Sequence, residues 1–213
     1  MVISWYGQAC FKLSSGPQTL IIDPFEKGIG LTPPTGEANM VLVTHDHSDH
    51  NNVGSIKGSP FIIDGPGEYE YQGTRVHGLR SYHDDKKGAD RGANTIYVIR
   101  MEGLRVVHLG DIGQTELTDK QVENIGSVDV LMVPVGGQFT VNGSEAPAIV
   151  NQIEPRIVIP MHYAQPGLKV KLDGVDVFLK EMGVKDIEAQ DKLTIKKSPL
   201  AEEGKTEVVV LKV

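Results

Sequence analysis

The sequence predicts an α+β fold in which two β-sheets pack together with helices outside them. Short apolar runs bounded by Gly, Pro and Asp fill the first two-thirds of the chain, and helical patterns enter only between the later runs. That order suits two sheets packed face to face, with the helices added outside. Several runs lack clean alternation, which places those strands where both faces are buried.

Taken in order, the runs Leu20-Ile21-Ile22, Val41-Leu42-Val43 and Phe61-Ile62-Ile63 read as strands, and Val76-His77-Gly78-Leu79 has strand character. Thr95-Ile96-Tyr97-Val98-Ile99, Leu104-Arg105-Val106-Val107-His108, Val130-Leu131-Met132-Val133 and Arg156-Ile157-Val158-Ile159 follow, and Glu207-Val208-Val209-Val210-Leu211 closes the set. The Gly- and Pro-rich segment Lys27 to Asn39 reads as a surface loop, and Gly65-Pro66-Gly67-Glu68-Tyr69-Glu70 as a hairpin turn. Thr118-Asp119-Lys120-Gln121 has the form of a capping box, with Gly126 placed to stop a short helix. A second helix around Glu145 to Ile153 carries Pro147 in its first turn, where proline is tolerated. Asp173 is the expected cap of a third helix through Val177-Phe178-Leu179-Lys180, which Gly183 stops.

A chain of 213 residues fits one large domain with a core that needs no staples. A hydrophobic content of 39% and a charged content of 23% exclude disorder as the main state. The net charge of −7 argues against broad attraction to nucleic acid or anionic membrane. One cysteine, Cys10, permits no intrachain disulfide and suits a reducing cytoplasm. No basic-then-apolar signal opens the chain, and no apolar run approaches the roughly 20 residues that span a membrane.

The chemistry is concentrated in His45-Asp46-His47-Ser48-Asp49-His50, directly after Met40-Val41-Leu42-Val43-Thr44. Three of the chain's seven histidines fall within this hexapeptide. Imidazole and carboxylate are ligands for zinc and its first-row neighbours, so a loop this rich in them at a strand end can hold two ions. Spaced two apart, His45 and His47 share one side of extended backbone, while Asp49 and His50 can face a second ion as the chain turns. Further candidates stand at strand ends: His162, Asp111 and His83. A buried aspartate after a strand and a glycine is costly without a cation, and one carboxylate oxygen can serve each ion. Asp23 before Pro24 is a candidate to orient the loop, with a plain turn as the alternative. His108 is a core or strand-edge histidine, or else a support for a ligand. Asp46 reads as a solvated loop residue, Glu68 as part of a surface turn rather than the cleft, and Cys10 as core.

Together, His45 to His50, Leu109-Gly110-Asp111 and the late His162 resemble the metallo-β-lactamase-fold superfamily. More narrowly, Ile21-Ile22-Asp23-Pro24, Leu131 to Gly137 and Pro160-Met161-His162-Tyr163 resemble metal-dependent hydrolases related to ascorbate-6-phosphate lactonase. The resemblance covers about residues 1 to 170. It implies a four-layer αββα sandwich forming a single domain, with the site at one edge between the sheets. It also implies that His45, His47 and His83 hold one metal, that Asp49, His50 and His162 hold the other, and that Asp111 bridges them. Asp49 and Asp111 are thereby the candidate catalytic carboxylates. His83 is preferred to His77 because its neighbours Tyr82 and Asp84 read as loop.

These residues lead to the expectation of a hydrolase with two divalent ions, zinc first and manganese or iron as alternatives, acting on an ester, lactone or phosphodiester of a small molecule. An iron dioxygenase is the redox alternative. The superfamily's di-iron branch has Glu where this chain has His47, which disfavours that branch. A nuclease for single-stranded nucleic acid is less favoured, because about 50 residues after His162 leave no room for a large inserted domain. Arg91 could receive an anionic substrate group, the alternative being a solvated loop residue, and Phe139 could form an apolar wall at the mouth of the site. The oligomeric state is not legible.

Overall fold

The computed structural model describes residues 1–196 and 205–213. Strands β1 (Val2–Trp5), β2 (Phe11–Ser15), β3 (Gln18–Ile22), β4 (Glu37–Leu42) and β5 (Lys57–Ile63) come first. They are followed by β6 (Gly67–Tyr71), β7 (Thr74–Tyr82), β8 (Ala93–Met101) and β9 (Leu104–His108). Helices α1 (Asp119–Ile125), α2 (Ala146–Ile153) and α3 (Asp176–Glu181) then enter around β10 (Val130–Pro134) and β11 (Ile157–Met161), and β12 (Leu193–Thr194) and β13 (Glu207–Val208) end the chain. One sheet has the order β12-β1-β2-β3-β4-β5 and the other β13-β11-β10-β9-β8-β7-β6. Both are mixed: β3, β4 and β5 run parallel, as do β9, β10, β11 and β13, while the hairpin partners run antiparallel.

The missing alternation has the expected cause. Leu20, Ile22, Met40 and Leu42 face the core between the sheets, which they share with Tyr97, Ile99, Val106 and Met132 of the second sheet. The intervening Ile21, Val41 and Val43 are buried on the opposite face against Phe25, Leu31 and Ile56. Each such fully buried aliphatic side chain contributes roughly 1.5–3 kcal/mol. The layer outside this first sheet comes from the segment after β3 and from short 3-10 turns at Lys27–Ile29 and Val53–Ser55. Helix α2 contacts both α1 and α3 and rests on β10 of the second sheet.

Local corrections follow from tertiary context. The segment Lys27 to Asn39 is not wholly a surface loop: Leu31 is buried in the outer cluster and β4 begins at Glu37. Residues 67–71 form an edge strand, with Gln72 and Gly73 at positive φ making the turn into β7. The Thr118–Gln121 capping box is present in full. Asp173 does not cap α3, whose N-cap is Val175. Its backbone instead bonds to Gly136 and Ala164. The closing strand is shorter than expected, covering only Glu207–Val208, although Leu211 still bridges to Gln190.

Candidate metal centre

The strands that end at the site all run in one direction. Asp23 follows β3 and His45 follows β4 in the first sheet; His83, Asp111 and His162 follow β7, β9 and β11 in the second. The two sheets are tied at this edge by Thr95 N–H donating to Thr44 O (2.9 Å) and the buried Tyr97 hydroxyl donating to Val43 O (2.7 Å).

The hexapeptide is a run of tight turns, not the extended segment that its spacing suggested. His47 N–H donates to His45 O (3.1 Å) and His50 N–H to His47 O (2.9 Å). The two imidazoles still meet edge to face, with centroids 4.5 Å apart. Asp46 and Ser48 point to solvent, with Asp46 accepting a hydrogen bond from Asn51. His45, His50, His83, Asp111 and His162 are buried, and His47 and Asp49 are half-buried.

Three sets of ligand atoms form, each with all atoms within 4.8 Å of one another: His45, His47 and His83; His45, His50 and Asp111; and Asp49, His50 and His162. Asp111 stands among them. Its Oδ2 lies 3.1 Å from His50 Nε2, 3.2 Å from His162 Nε2, 3.3 Å from His83 Nε2 and 4.0 Å from His45 Nε2. His77 lies elsewhere, paired across β6–β7 with Glu68 and lining a groove with Arg75 and Arg100.

The electrostatics suit a cation. Burial, reinforced by His50, pushes the His45 imidazole down to about 2, so it is neutral and free to ligate. Burial likewise lowers His47. Burial works against charge on Asp111, yet His162 and His50 hold its carboxyl well below the usual range. Burial opposes charge on Asp49 as well, but the neighbouring His50 and His162 together hold its carboxyl below the usual range. His50 is buried between Asp111 and Asp23, which raise it well above the ordinary imidazole range. His45 Nε2, His50 Nε2, His83 Nδ1, His162 Nδ1 and Asp111 Oδ1 are buried without a hydrogen-bond partner among the described residues. So many bare donors and acceptors in one cluster are costly as core packing, and they fit ligation of metal ions.

The supports are equally specific. Asp23 Oδ2 accepts from Thr44 Oγ1 (2.7 Å) and meets His50 Nδ1 (3.0 Å), and its Oδ1 accepts from Thr44 N–H (2.8 Å). Asp23 therefore orients the loop, the alternative of a plain turn being too weak a description. Replacing Asp23 by Asn should weaken metal binding by about 10–100-fold, read by chelator competition, and unchanged affinity would refute this role. His108 donates from Nε2 to Ala9 O (2.8 Å) and accepts the Gly110 N–H at Nδ1 (3.1 Å), so it is a core histidine that also braces the Gly110–Asp111 turn.

Two functional neighbours carried no motif. Asn94 accepts the Asp111 N–H at Oδ1 (3.0 Å) and donates from Nδ2 to Leu109 O (2.8 Å). Gln8, from the turn between β1 and β2, donates from Nε2 to Asp49 Oδ2 (3.1 Å). Beyond His83 opens a cleft of about 280 Å³ lined by Arg91, Gly113, Gln138, Phe139 and Thr140. The Arg91 guanidinium lies 3.9 Å from the Phe139 ring centroid, linking the two loops at the mouth.

Residues 2–162 match the beta-lactamase superfamily domain. A crystal structure from Thermotoga maritima, described as a zinc-dependent hydrolase of the metallo-beta-lactamase superfamily, is 34% identical with a TM-score of 0.80, covering 100% of both chains. A metal-dependent hydrolase of Thermococcus onnurineus is 28% identical over 76% of this chain and 84% of its own length. Another, from Thermoplasma acidophilum, is 29% identical over 76% of this chain and 82% of its own. The chain belongs to the metallo-β-lactamase superfamily, among relatives described as metal-dependent hydrolases.

Proposed function

We propose that this protein hydrolyses an ester, lactone or phosphodiester bond in a small molecule with the aid of two divalent cations, zinc being the best match to the ligands. The observation that carries this reading is the convergence of four buried imidazoles on one carboxylate oxygen of Asp111. In this reading His45, His47 and His83 would hold one cation and Asp49, His50 and His162 the other, with Asp111 between the two sets. Bound cations supply a deprotonated water at neutral pH and polarise the oxygen of the scissile group.

The chain's own residues do the rest. Asp49 and Asp111 keep their carboxylates ionised within the cluster. Asp23 holds the His50 ring in orientation through Nδ1. Phe139 walls the cleft, and the Arg91 guanidinium stacked on its ring is the cation there, among the lining carboxylates of Asp84, Asp85, Asp90 and Glu145, that could receive an anionic part of the substrate. Cys10 is fully buried in the apolar outer cluster, and burial pushes its thiol up, which suits packing and not nucleophilic attack. No helix among the described residues is long and apolar enough to cross a membrane. A cytoplasmic place of action goes with the lone buried thiol.

The test is metal quantification on protein purified without chelator, followed by lactones, phosphodiesters and thioesters assayed with zinc, manganese and iron. Stoichiometric metal and turnover of one class are expected, with charged substrates preferred to neutral analogues. Protein without metal would overturn the reading. Iron together with oxygen consumption on thiols would replace it with the dioxygenase alternative.

A further inference from the structure

Gln8 is fully buried, yet the packing of the core does not account for it. Its backbone sits at φ 48°, in the left-handed region that costs a side-chain-bearing residue. That conformation turns its carbonyl toward two donors at once, the Trp5 indole N–H (2.9 Å) and the His162 backbone N–H (3.0 Å). The first strand pair is thus pinned to the loop that carries the late histidine. The side chain then reaches Asp49, with Nε2 donating to Oδ2 at 3.1 Å. Its other end, Oε1, is buried with no hydrogen-bond partner among the described residues. A buried amide with a bare acceptor is disfavoured in a core, and strained residues cluster where a site is being organised. Leu or Met would fill the same volume without burying a bare acceptor.

We propose that Gln8 is a positioning residue of the second cation position. This rests on the reading of Asp49, His50 and His162 as one ligand set. The amide N–H occupies one lone pair of Asp49 Oδ2 and so fixes how the carboxylate is presented to the cation. Oε1 is held ready for an O–H or N–H donor that arrives with the loaded centre, water or substrate. The position touches one set of the cluster: the hydrogen bond runs to Asp49, while His45, His47 and His83 form a separate set.

That asymmetry supplies the test. Zinc is titrated into the full-length chain against a chromophoric chelator, and cobalt-substituted protein gives the absorption spectrum of each ion. Wild type is expected to bind two ions. Gln8→Met keeps the volume and the carbonyl bonds to Trp5 and His162 but removes both amide atoms. It should weaken the second ion about 10–100-fold and leave the first within about threefold, with the cobalt bands of only one ion altered. Gln8→Glu sets a carboxylate against Asp49 and should weaken the second ion at least as much. Thermal melting of the metal-free variants reports whether they fold. Two ions bound as tightly in Gln8→Met as in wild type would overturn the proposal, and so would equal weakening of both ions. Wild type that binds no zinc would instead sink the metal reading on which the proposal rests.

Discussion

Replacing Asp111 by Ala is expected to abolish turnover, lowering kcat/KM by roughly a thousandfold or more, the scale on which losing a principal electrostatic element acts. Its Oδ2 lies within 3.3 Å of three imidazoles, those of His50, His83 and His162. Without it the imidazoles of both halves have no common anion, and two cations would repel each other across the gap. The loss should therefore appear in metal content as well as in rate, with fewer ions retained per chain after gel filtration. Asp111→Asn preserves the shape and the backbone bond to Asn94, so it separates charge from folding. It should fold and melt cooperatively while remaining nearly inactive. Retention of a tenth or more of wild-type activity in either variant, measured on the substrate that wild type hydrolyses, would show that Asp111 is peripheral.

Much of this cluster was legible because residue types able to ligate metals are chemically distinctive and gather in the sequence. His45 to His50 could be read directly, and Asp111 and His162 followed from their places after apolar strands. Asp23 was legible because a histidine ligand needs an acceptor behind it and an Asp-Pro at a strand end offers one. The local path of the hexapeptide was not legible. Spacing alone favoured extended backbone, whereas the bonds from His47 and His50 back along the loop fold it into turns. Gln8 and Asn94 were missed for another reason. An amide can be solvated, turn-forming or structural in almost any setting, and only the fold places these two against Asp49 and Asp111. The short strands β1, β2 and β6 escaped notice similarly. Their apolar positions alternate with polar ones over only four or five residues, and their partners supply the rest of the pattern.

Gly110→Ala should be strongly damaging, because it combines an unfavourable backbone conformation with a clash beside Asp111. Gly110 has φ +58°, where an L side chain costs about 1–2 kcal/mol. A Cβ there would collide with Asn94 Oδ1 and come within 2.9 Å of Thr44 Cβ. Neither neighbour can give way cheaply. The Asn94 amide is spent on Ser81 Oγ (2.7 Å), Leu109 O (2.8 Å) and the Asp111 N–H (3.0 Å). Thr44 is held by both oxygens of Asp23, the same residue that orients His50. Relief of the clash would thus displace Asp111 or loosen the histidine loop. Strain and overpacking together amount to about 2–5 kcal/mol, which for a chain of this size lowers Tm by roughly 10 °C. Gly28→Ala is the matched control, since its added Cβ meets nothing within 4 Å. It should melt within about 2 °C of wild type and keep full metal content. Gly110→Ala is expected to lose metal affinity even below its melting temperature, because the clash acts on Asn94, which holds the Asp111 backbone in place. A Gly110→Ala protein as stable and as metal-loaded as the control would mean that the turn carrying Asp111 is softer than its hydrogen bonds imply.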